Sequence, residues 1–292
     1  WKKGQKAGDG RAVEYIKYNR TRRGRFQIRT VIAGPPRQVE KEALTQEGAD
    51  HIRAFEETCR VLNRQHVNLS FAVPELSGGG MGARFPYIRG ESLSERLGRA
   101  VRDGRGPVKT VREAMDMVFQ VRPGCRREFV VTEEFTRVFG QLPARRPARW
   151  ESLEASNIDM LFENILVSGE ERYCLDYEWV FLFPVPTEYI QYRILFYFFR
   201  QYRSLLTGCR DEKTWLKEFG ITEDRAEIYQ NMERSFQEYV HGENQKVYLE
   251  NYYVKAKTTK ELARVDGELE RTKERLEQLR LQLGERDVTI RK

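Results

Sequence analysis

A short apolar hairpin inside an otherwise helical half of the chain is the feature that most constrains how this sequence can fold. The pattern predicts two strands, 165–167 and 173–175, joined by a tight turn. Asp159 and Asn164 precede this hairpin, with four residues between them, and Asp176 follows it directly. We expect these three polar side chains to converge at one place in the fold.

The first ninety residues are dominated by strand patterns. Alternating or β-branched and aromatic residues predict five strands, at residues 13–18, 26–32, 38–43, 69–73 and 82–88. One helix is predicted between them, over residues 45–63. Its apolar face consists of Ile52, Phe55, Cys59 and Leu62. We therefore expect an antiparallel sheet with one helix.

From Ser92 to about residue 205 the patterns are mainly helical, with the hairpin as the interruption. Ser92 is a candidate N-cap. The aromatic residues between positions 189 and 202 recur at helical spacing and predict a buried helix, and a last helical stretch runs to about residue 253. The fold class is therefore α+β, with an N-terminal lobe at residues 1–90 and a helical lobe at residues 91–255.

The last segment, residues 256–292, has a different pattern. Apolar residues recur there at alternating steps of three and four along the seam Leu262, Val265, Leu269, Thr272, Leu276, Leu279, Leu283, Arg286 and Ile290. This heptad pattern favours a coiled coil that makes the chain a homo-oligomer. The alternative is one long amphipathic helix that packs back on its own domain. The chain begins at Trp1, and we expect it to be a piece of a longer protein.

The composition excludes several classes of protein. The four cysteines form no CxxC pair and there are only three histidines, which argues against zinc fingers and disulfide frameworks. No apolar run is long enough to span a bilayer. The net charge of +7 favours anionic partners, but without a nucleic-acid motif we do not expect nucleic acid among them. Scattered thiols are typical of a reducing compartment, so we expect a cytoplasmic protein.

The order of elements resembles the bilobal protein-kinase-like fold, which protein kinases share with aminoglycoside and choline phosphotransferases. The segment from Asp159 to Asn164 resembles the catalytic loop of this superfamily, and Asp176-Tyr177-Glu178 resembles the metal-binding motif of its small-molecule phosphotransferases. The resemblance implies that Asp159 orients or deprotonates the attacking hydroxyl and that Asn164 and Asp176 bind Mg²⁺. For Asp159 and Asn164 the alternative is ordinary capping and loop hydrogen bonding. Glu178 points the same way as Asp176 in an extended segment and is a further metal candidate; a solvated or salt-bridged loop carboxylate is its alternative.

The same resemblance implies a nucleotide site for ATP in the N-terminal lobe. Lys41 matches the third-strand lysine that reaches the phosphates, and an exposed strand lysine is the alternative. Glu56, at the rim of the apolar helix face, is the expected partner of Lys41. Tyr87 and Ile88 lie in a segment that resembles the hinge, where backbone groups would meet the adenine; an ordinary strand-to-helix turn is the alternative.

Two departures from the superfamily pattern leave a second interpretation open, a kinase-like protein without catalytic activity. Asn157 stands where the family usually has histidine, two residues before the catalytic Asp. No glycine-rich loop joins the first two strands; that connection, residues 19–25, is the basic tip and contains four arginines. Arg23 and Arg25 are candidates for nucleotide binding there, in place of backbone N–H groups. The alternatives are a loop that binds an anionic acceptor and a solvated basic hairpin.

A narrower resemblance links the chain to kinase-like domains of bacterial surface-polysaccharide proteins. Such domains occur beside methyltransferases and glycosyltransferases and are often followed by a coiled coil, as in the chain-terminating methyltransferase/kinases of O-antigen synthesis. The resemblance implies a glycan or small-molecule acceptor, a glycosyltransferase or methyltransferase neighbour, and contact with the inner face of the membrane. Two functions stay open: a Mg²⁺/ATP-dependent phosphotransferase, or an inactive scaffold that oligomerises and docks glycosyltransferases.

Overall fold

The computed structural model describes residues 11–144, 149–206 and 211–244. The chain divides into two units, residues 1–242 and 243–292, and all of the following concerns the first unit. The strands are β1 (Ala12–Tyr18), β2 (Ile28–Gly34), β3 (Gln38–Ala43), β4 (Ser70–Phe71), β5 (Glu75–Ser77), β6 (Gly82–Pro86), β7 (Glu91–Ser92), β8 (Arg126–Glu128), β9 (Glu151–Leu153), β10 (Ser156–Asn157), β11 (Ile165–Ser168), β12 (Glu171–Cys174) and β13 (Val180–Phe181). The helices are α1 (Ala49–Gln65), α2 (Leu93–Arg102), α3 (Pro107–Val118), α4 (Glu133–Phe139), α5 (Thr187–Tyr202), α6 (Glu212–Glu218) and α7 (Glu223–His241).

The N-terminal half forms a five-stranded antiparallel sheet in the order β1-β2-β3-β6-β5. Helix α1 covers it through the predicted apolar face, since Ile52, Phe55, Cys59 and Leu62 are all buried. The helix begins at Ala49, later than expected, because Gln46–Gly48 forms a separate 3₁₀ turn. The expected antiparallel sheet with one helix is confirmed.

A second sheet connects the two halves of the chain. The predicted hairpin is present as β11 and β12, with Gly169 at a positive φ of 61° in its turn. Strand β7 pairs with β11, and β4 pairs in parallel with β12. The strand expected at residues 69–73 is present as β4 but is shorter than predicted, and it lies beside the hairpin. The edge of the N-terminal sheet is formed by β5 instead.

The C-terminal half packs helices around one aromatic-rich core. Ser92 caps α2 as expected, and it does so in a capping box with Glu95. Helix α5 buries most of its aromatic residues, as its spacing predicted; Tyr189 and Phe198 are among those fully covered. Trp215 of α6 packs in the same core, where its Nε1 donates to the carbonyl of Leu195 at 3.2 Å. The Phe162 ring, in the turn before β11, packs 5.7 Å from that of Phe198, so this core supports the start of the hairpin.

The predicted coiled coil, residues 256–292, lies outside the described residues. Within the part of the chain that is described, no helix combines the length and apolar character needed to cross a membrane. The structure thus leaves the coil a sequence prediction.

His66, directly after α1, supplies a test of the core by pH. Burial lowers the pKa of His66 to about 4, so this side chain stays neutral in the fold while an unfolded histidine titrates near pH 6.5. Below pH 6.5 the unfolded chain binds the extra proton, so the free energy of unfolding should fall, by about 3 kcal/mol on reaching pH 4. His66→Phe should remove this part of the acid sensitivity, because phenylalanine does not titrate and Gln65 keeps its hydrogen bond to the carbonyl of Ala155. Urea titrations at pH 7 and pH 4.5 measure the difference; equal pH dependence in both proteins would contradict it.

Candidate active site

The open end of the hairpin places Asn164 beside the residues that precede Asp176. Ile165 and Cys174 are paired across the hairpin, and the Leu175 N–H donates to the Asn164 carbonyl at 2.9 Å. The Asn164 amide donates from Nδ2 to the backbone carbonyl of Asp159 at 2.8 Å. This hydrogen bond uses Nδ2, so it leaves Oδ1, the atom of the Asn164 amide that ligates metals, without a role in it.

Asn157 holds the backbone of both predicted carboxylates. Its Oδ1 accepts from the Asp159 N–H at 3.0 Å, and its Nδ2 donates to the Asp176 carbonyl at 3.3 Å. A side chain with one acceptor and one donor can bridge the two loops in this way. The asparagine at this position thus makes the positioning contacts that the sequence left in doubt.

Lys41 of β3 reaches across the lobes to the same loop. Its Nζ lies 2.9 Å from Asp176 Oδ1 and 3.7 Å from Glu178 Oε2. The Lys41 side chain is 11% exposed, whereas that of Asp176 is 42% exposed. Burial alone would lower the pKa of Lys41, but the attraction of the two carboxylates outweighs it and raises the pKa. The ammonium therefore stays charged beside Asp176 and Glu178.

Asp159 lies close enough to this ion pair to feel the charge of Asp176, and its side chain is 15% exposed. Its Oδ1 is 3.6 Å from Nη2 of Arg193, which extends from α5. Burial and the negative charge of Asp176 raise the pKa of Asp159, and Arg193 opposes them. A carboxylate with a raised pKa accepts a proton more readily at neutral pH, which suits a general base.

Glu178 is in a different environment from Asp176. Its side chain is 4% exposed, and it pairs with Arg22 of the basic tip, with His51 of α1 at 3.1 Å and with Lys41. Burial acts to raise the pKa of Glu178, but these three groups together hold it well below its usual range. This environment argues against the expected metal-binding role, because a metal ion would have to displace protein cations that already engage the carboxylate.

Glu56 does not reach Lys41, contrary to the expectation. Its side chain is 54% exposed and lies 3.5 Å from Arg60 on the same helix. The position under Lys41 is taken by the ring of Phe55, whose centroid is 5.4 Å from Nζ. The helix is rotated so that its apolar face, not its rim, meets β3, and Glu178 supplies the carboxylate that Glu56 was expected to supply.

Arg23 and Arg25 of the basic tip make their contacts with α7. The Arg23 N–H donates to the carbonyl of Val240 at 2.8 Å, and the Arg25 guanidinium lies 4.9 Å from the centroid of the Tyr239 ring. Both residues therefore pack against α7. The arginine that pairs with Glu178 is Arg22, which the sequence analysis did not single out.

Tyr87 and Ile88 occupy the link between β6 and β7, which is where the chain crosses from one lobe to the other. The Arg37 guanidinium lies 5.3 Å from the centroid of the Tyr87 ring, and Ile88 packs against the core. Their position agrees with a hinge, and adenine contact by their backbone stays a prediction.

The oxygen donors of Asp176 and Asn164 are of the kind that a magnesium ion would take. Among the described residues, no group of three or more His, Cys, Asp or Glu side chains forms a metal site by itself. Mg²⁺ commonly keeps several waters and takes only one or two carboxylates plus phosphate oxygens. The half-exposed carboxylate of Asp176 and the amide oxygen of Asn164 would supply such a partial set.

Comparisons with solved structures include distant likenesses. No family model and no curated protein matches the chain. Among solved structures, the apoenzyme of a macrolide 2′-phosphotransferase from Brachybacterium faecium is 12% identical, with 79% of this chain and 86% of that chain covered and a TM-score of 0.35. An ethanolamine kinase from Plasmodium vivax is 13% identical, with 77% and 72% covered and a TM-score of 0.32. A spectinomycin phosphotransferase in complex with ADP and spectinomycin is 11% identical, with 82% and 90% covered and a TM-score of 0.29. Scores at this level assign no function to the chain.

Proposed function

We propose that this protein is a kinase-like phosphotransferase that moves the γ-phosphoryl group of ATP to a hydroxyl of a small molecule or glycan. The observation that supports this most directly is the 2.9 Å ion pair between Lys41 and Asp176, which are far apart in sequence. Hydrogen bonds connect the same loop to Asp159 and Asn164: Asn157 bridges the backbones of Asp159 and Asp176, and Asn164 donates to the Asp159 carbonyl. Phosphoryl transfer requires this set: a cation for the phosphates, oxygen donors for a metal, and a carboxylate near the hydroxyl.

Each residue has one role in the proposed reaction. Lys41 leaves Asp176 to bind the nucleotide phosphates, and Asp159 accepts the proton of the attacking hydroxyl. Arg193 keeps the Asp159 carboxylate in place. Asp176 and Asn164 would hold Mg²⁺, which neutralises charge on the phosphates when it is bound.

Nucleotide binding tests the proposal. Millimolar ATP with Mg²⁺ should raise the melting temperature of the full chain, since a ligand at one hundred times its Kd stabilises a fold by about 2.7 kcal/mol. Asp176→Ala should lose most of this shift, because it removes the charged metal donor. Differential scanning fluorimetry measures both proteins, with Glu170→Ala in the exposed hairpin turn as the control that keeps the shift. No shift in the parent chain would contradict the phosphotransferase.

A non-catalytic scaffold is the second candidate, and the contacts of the basic tip favour it. Phe26, directly after the tip, packs 5.2 Å from Tyr239 of α7, and His241 bonds to the carbonyl of Thr21 at 2.9 Å. The connection that covers phosphates in the resembled superfamily is thus held by the protein itself. A chain that binds no ATP but still associates with a glycosyltransferase would support the scaffold.

The finer parts of the proposal depend on the sequence resemblance alone. They are a role in bacterial surface-polysaccharide assembly, a homo-oligomer formed through residues 256–292, a neighbouring glycosyltransferase or methyltransferase, and a cytoplasmic location with contact at the inner membrane face.

A further inference from the structure

Glu178 lies where four segments of the chain meet. It precedes β13, and its Oε1 accepts hydrogen bonds from Arg22 of the basic tip and from His51 of α1. Its Oε2 lies 3.7 Å from Nζ of Lys41 on β3. The side chain is 4% exposed, so these contacts are shielded from solvent and are stronger than they would be at the surface.

The neighbouring residues keep Glu178 and Asp176 in different roles. Tyr177 between them is buried, with its ring 5.8 Å from the rings of Phe55 and Phe71. In an extended segment the two carboxylates therefore lie together on the opposite side, and both reach Lys41. Only Asp176 is open to solvent there, so only Asp176 can meet a hydrated metal ion without breaking several ion pairs.

Arg22 has hydrogen-bond donors available for a phosphate. Within the described residues, the hydrogen bonds of its side chain use Nη1 alone, to Glu178 and to the carbonyl of Phe26. The guanidinium also lies 5.4 Å from the centroid of the Trp179 ring, a cation–π contact that holds it beside Glu178. Its Nε and Nη2 remain to bind an anion, and a guanidinium suits phosphate geometry.

We propose that Glu178 is a positioning residue that holds Lys41 and Arg22 together for the phosphates of the nucleotide, and that His51 links this contact to α1. Arg22 then supplies charge-assisted contacts where the chain lacks a glycine-rich loop. A carboxylate that holds both cations before the ligand arrives reduces the ordering cost of binding. This inference rests on the proposed function.

Binding of ATP with and without metal separates positioning from metal ligation. Isothermal titration calorimetry on the full chain would measure the ATP affinity first in EDTA and then with Mg²⁺. Glu178→Gln and Arg22→Gln should each weaken ATP binding at least tenfold in EDTA as well as in Mg²⁺, and leave the Mg²⁺ concentration for half-maximal effect unchanged. Asp176→Asn should instead lose the strengthening by Mg²⁺. Two control variants should bind ATP as the parent does. They are Arg20→Gln, in the same tip but with the Arg20 guanidinium over Tyr18, and Glu170→Gln.

The outcomes distinguish this inference from the proposed function. If the parent chain binds no ATP, the phosphotransferase fails and the inference fails with it. If the parent binds ATP while Glu178→Gln changes only the Mg²⁺ requirement, Glu178 is a metal ligand and the inference alone is overturned. Should Glu178→Gln not fold, Arg22→Gln decides: unchanged affinity in EDTA would overturn the inference, and weaker affinity restored by Arg22→Lys would support it.

Discussion

Replacing Asp159 by asparagine is expected to lower the rate of phosphoryl transfer by a factor of about 10²–10⁴, the usual contribution of a general base. Asparagine keeps the size of the side chain but accepts no proton from the attacking hydroxyl. Lys41 and Asp176 stay in place, so ATP should still bind. The slow hydrolysis of ATP, with water as the acceptor, provides a rate that needs no knowledge of the natural substrate.

The stability of the Asp159→Asn protein separates a lost base from a damaged fold. Burial and Asp176 raise the pKa of Asp159, so the fold already disfavours its charged form. The neutral variant should therefore melt at the parental temperature or above it. Asp224→Asn, at an exposed position in the first turn of α7, is the matched control with unchanged hydrolysis. A parental rate in Asp159→Asn would remove the proposed base from the reaction.

The sequence patterns predicted those parts of the fold that depend on interactions between residues close together in the chain. The hairpin follows from its apolar runs and its turn, and the cap at Ser92 from a side chain that can accept from the N–H of Glu95. The apolar face of α1 followed from helical spacing. The pairing of β4 with β12 could not be predicted, because it joins segments about one hundred residues apart and neither strand has a pattern that selects its partner.

The candidate site was predictable only where the chain itself fixes the geometry. Asp176 and Asn164 flank one hairpin, so their proximity follows from the sequence. The partner of Lys41 depends instead on how α1 is rotated against β3, which the packing of Phe55 on Phe85 and Tyr177 sets. Spacing along the helix contains no information on that rotation.

The choice among the arginines of the basic tip depends on tertiary packing in the same way. All four have the same charge and similar neighbours in the sequence. The 3₁₀ turn Gly24–Phe26 buries the Phe26 ring 5.0 Å from that of Trp179. This contact directs Arg22 toward Glu178 and turns Arg23 toward α7. The sequence alone does not distinguish these arginines, because their directions depend on tertiary contacts.

The buried ion pair of Arg193 with Glu233 should have the largest effect on stability. Arg193 is 5% exposed; its Nε donates to the Ile158 carbonyl at 2.9 Å and its Nη1 bonds to Glu233 of α7. Arg193→Met leaves the carboxylate of Glu233 without its paired cation and the Ile158 carbonyl without its donor, so the free energy of unfolding should fall by about 3–5 kcal/mol. Urea titrations at pH 7 measure this loss.

Two control variants show whether the loss of stability comes from the Arg193–Glu233 ion pair itself. Arg193→Met combined with Glu233→Gln should recover part of the stability, because the amide has no unpaired charge and still accepts from Tyr189, whose hydroxyl lies 2.8 Å from Glu233 Oε2. Lys213→Met removes the cation of an ion pair whose side chains are both 70% exposed and should cost far less. A loss in Arg193→Met no larger than in Lys213→Met would show that the buried pair does not hold α5 against α7. Because the same guanidinium lies 3.6 Å from Asp159, the single variant should also slow ATP hydrolysis, even at temperatures where it is fully folded.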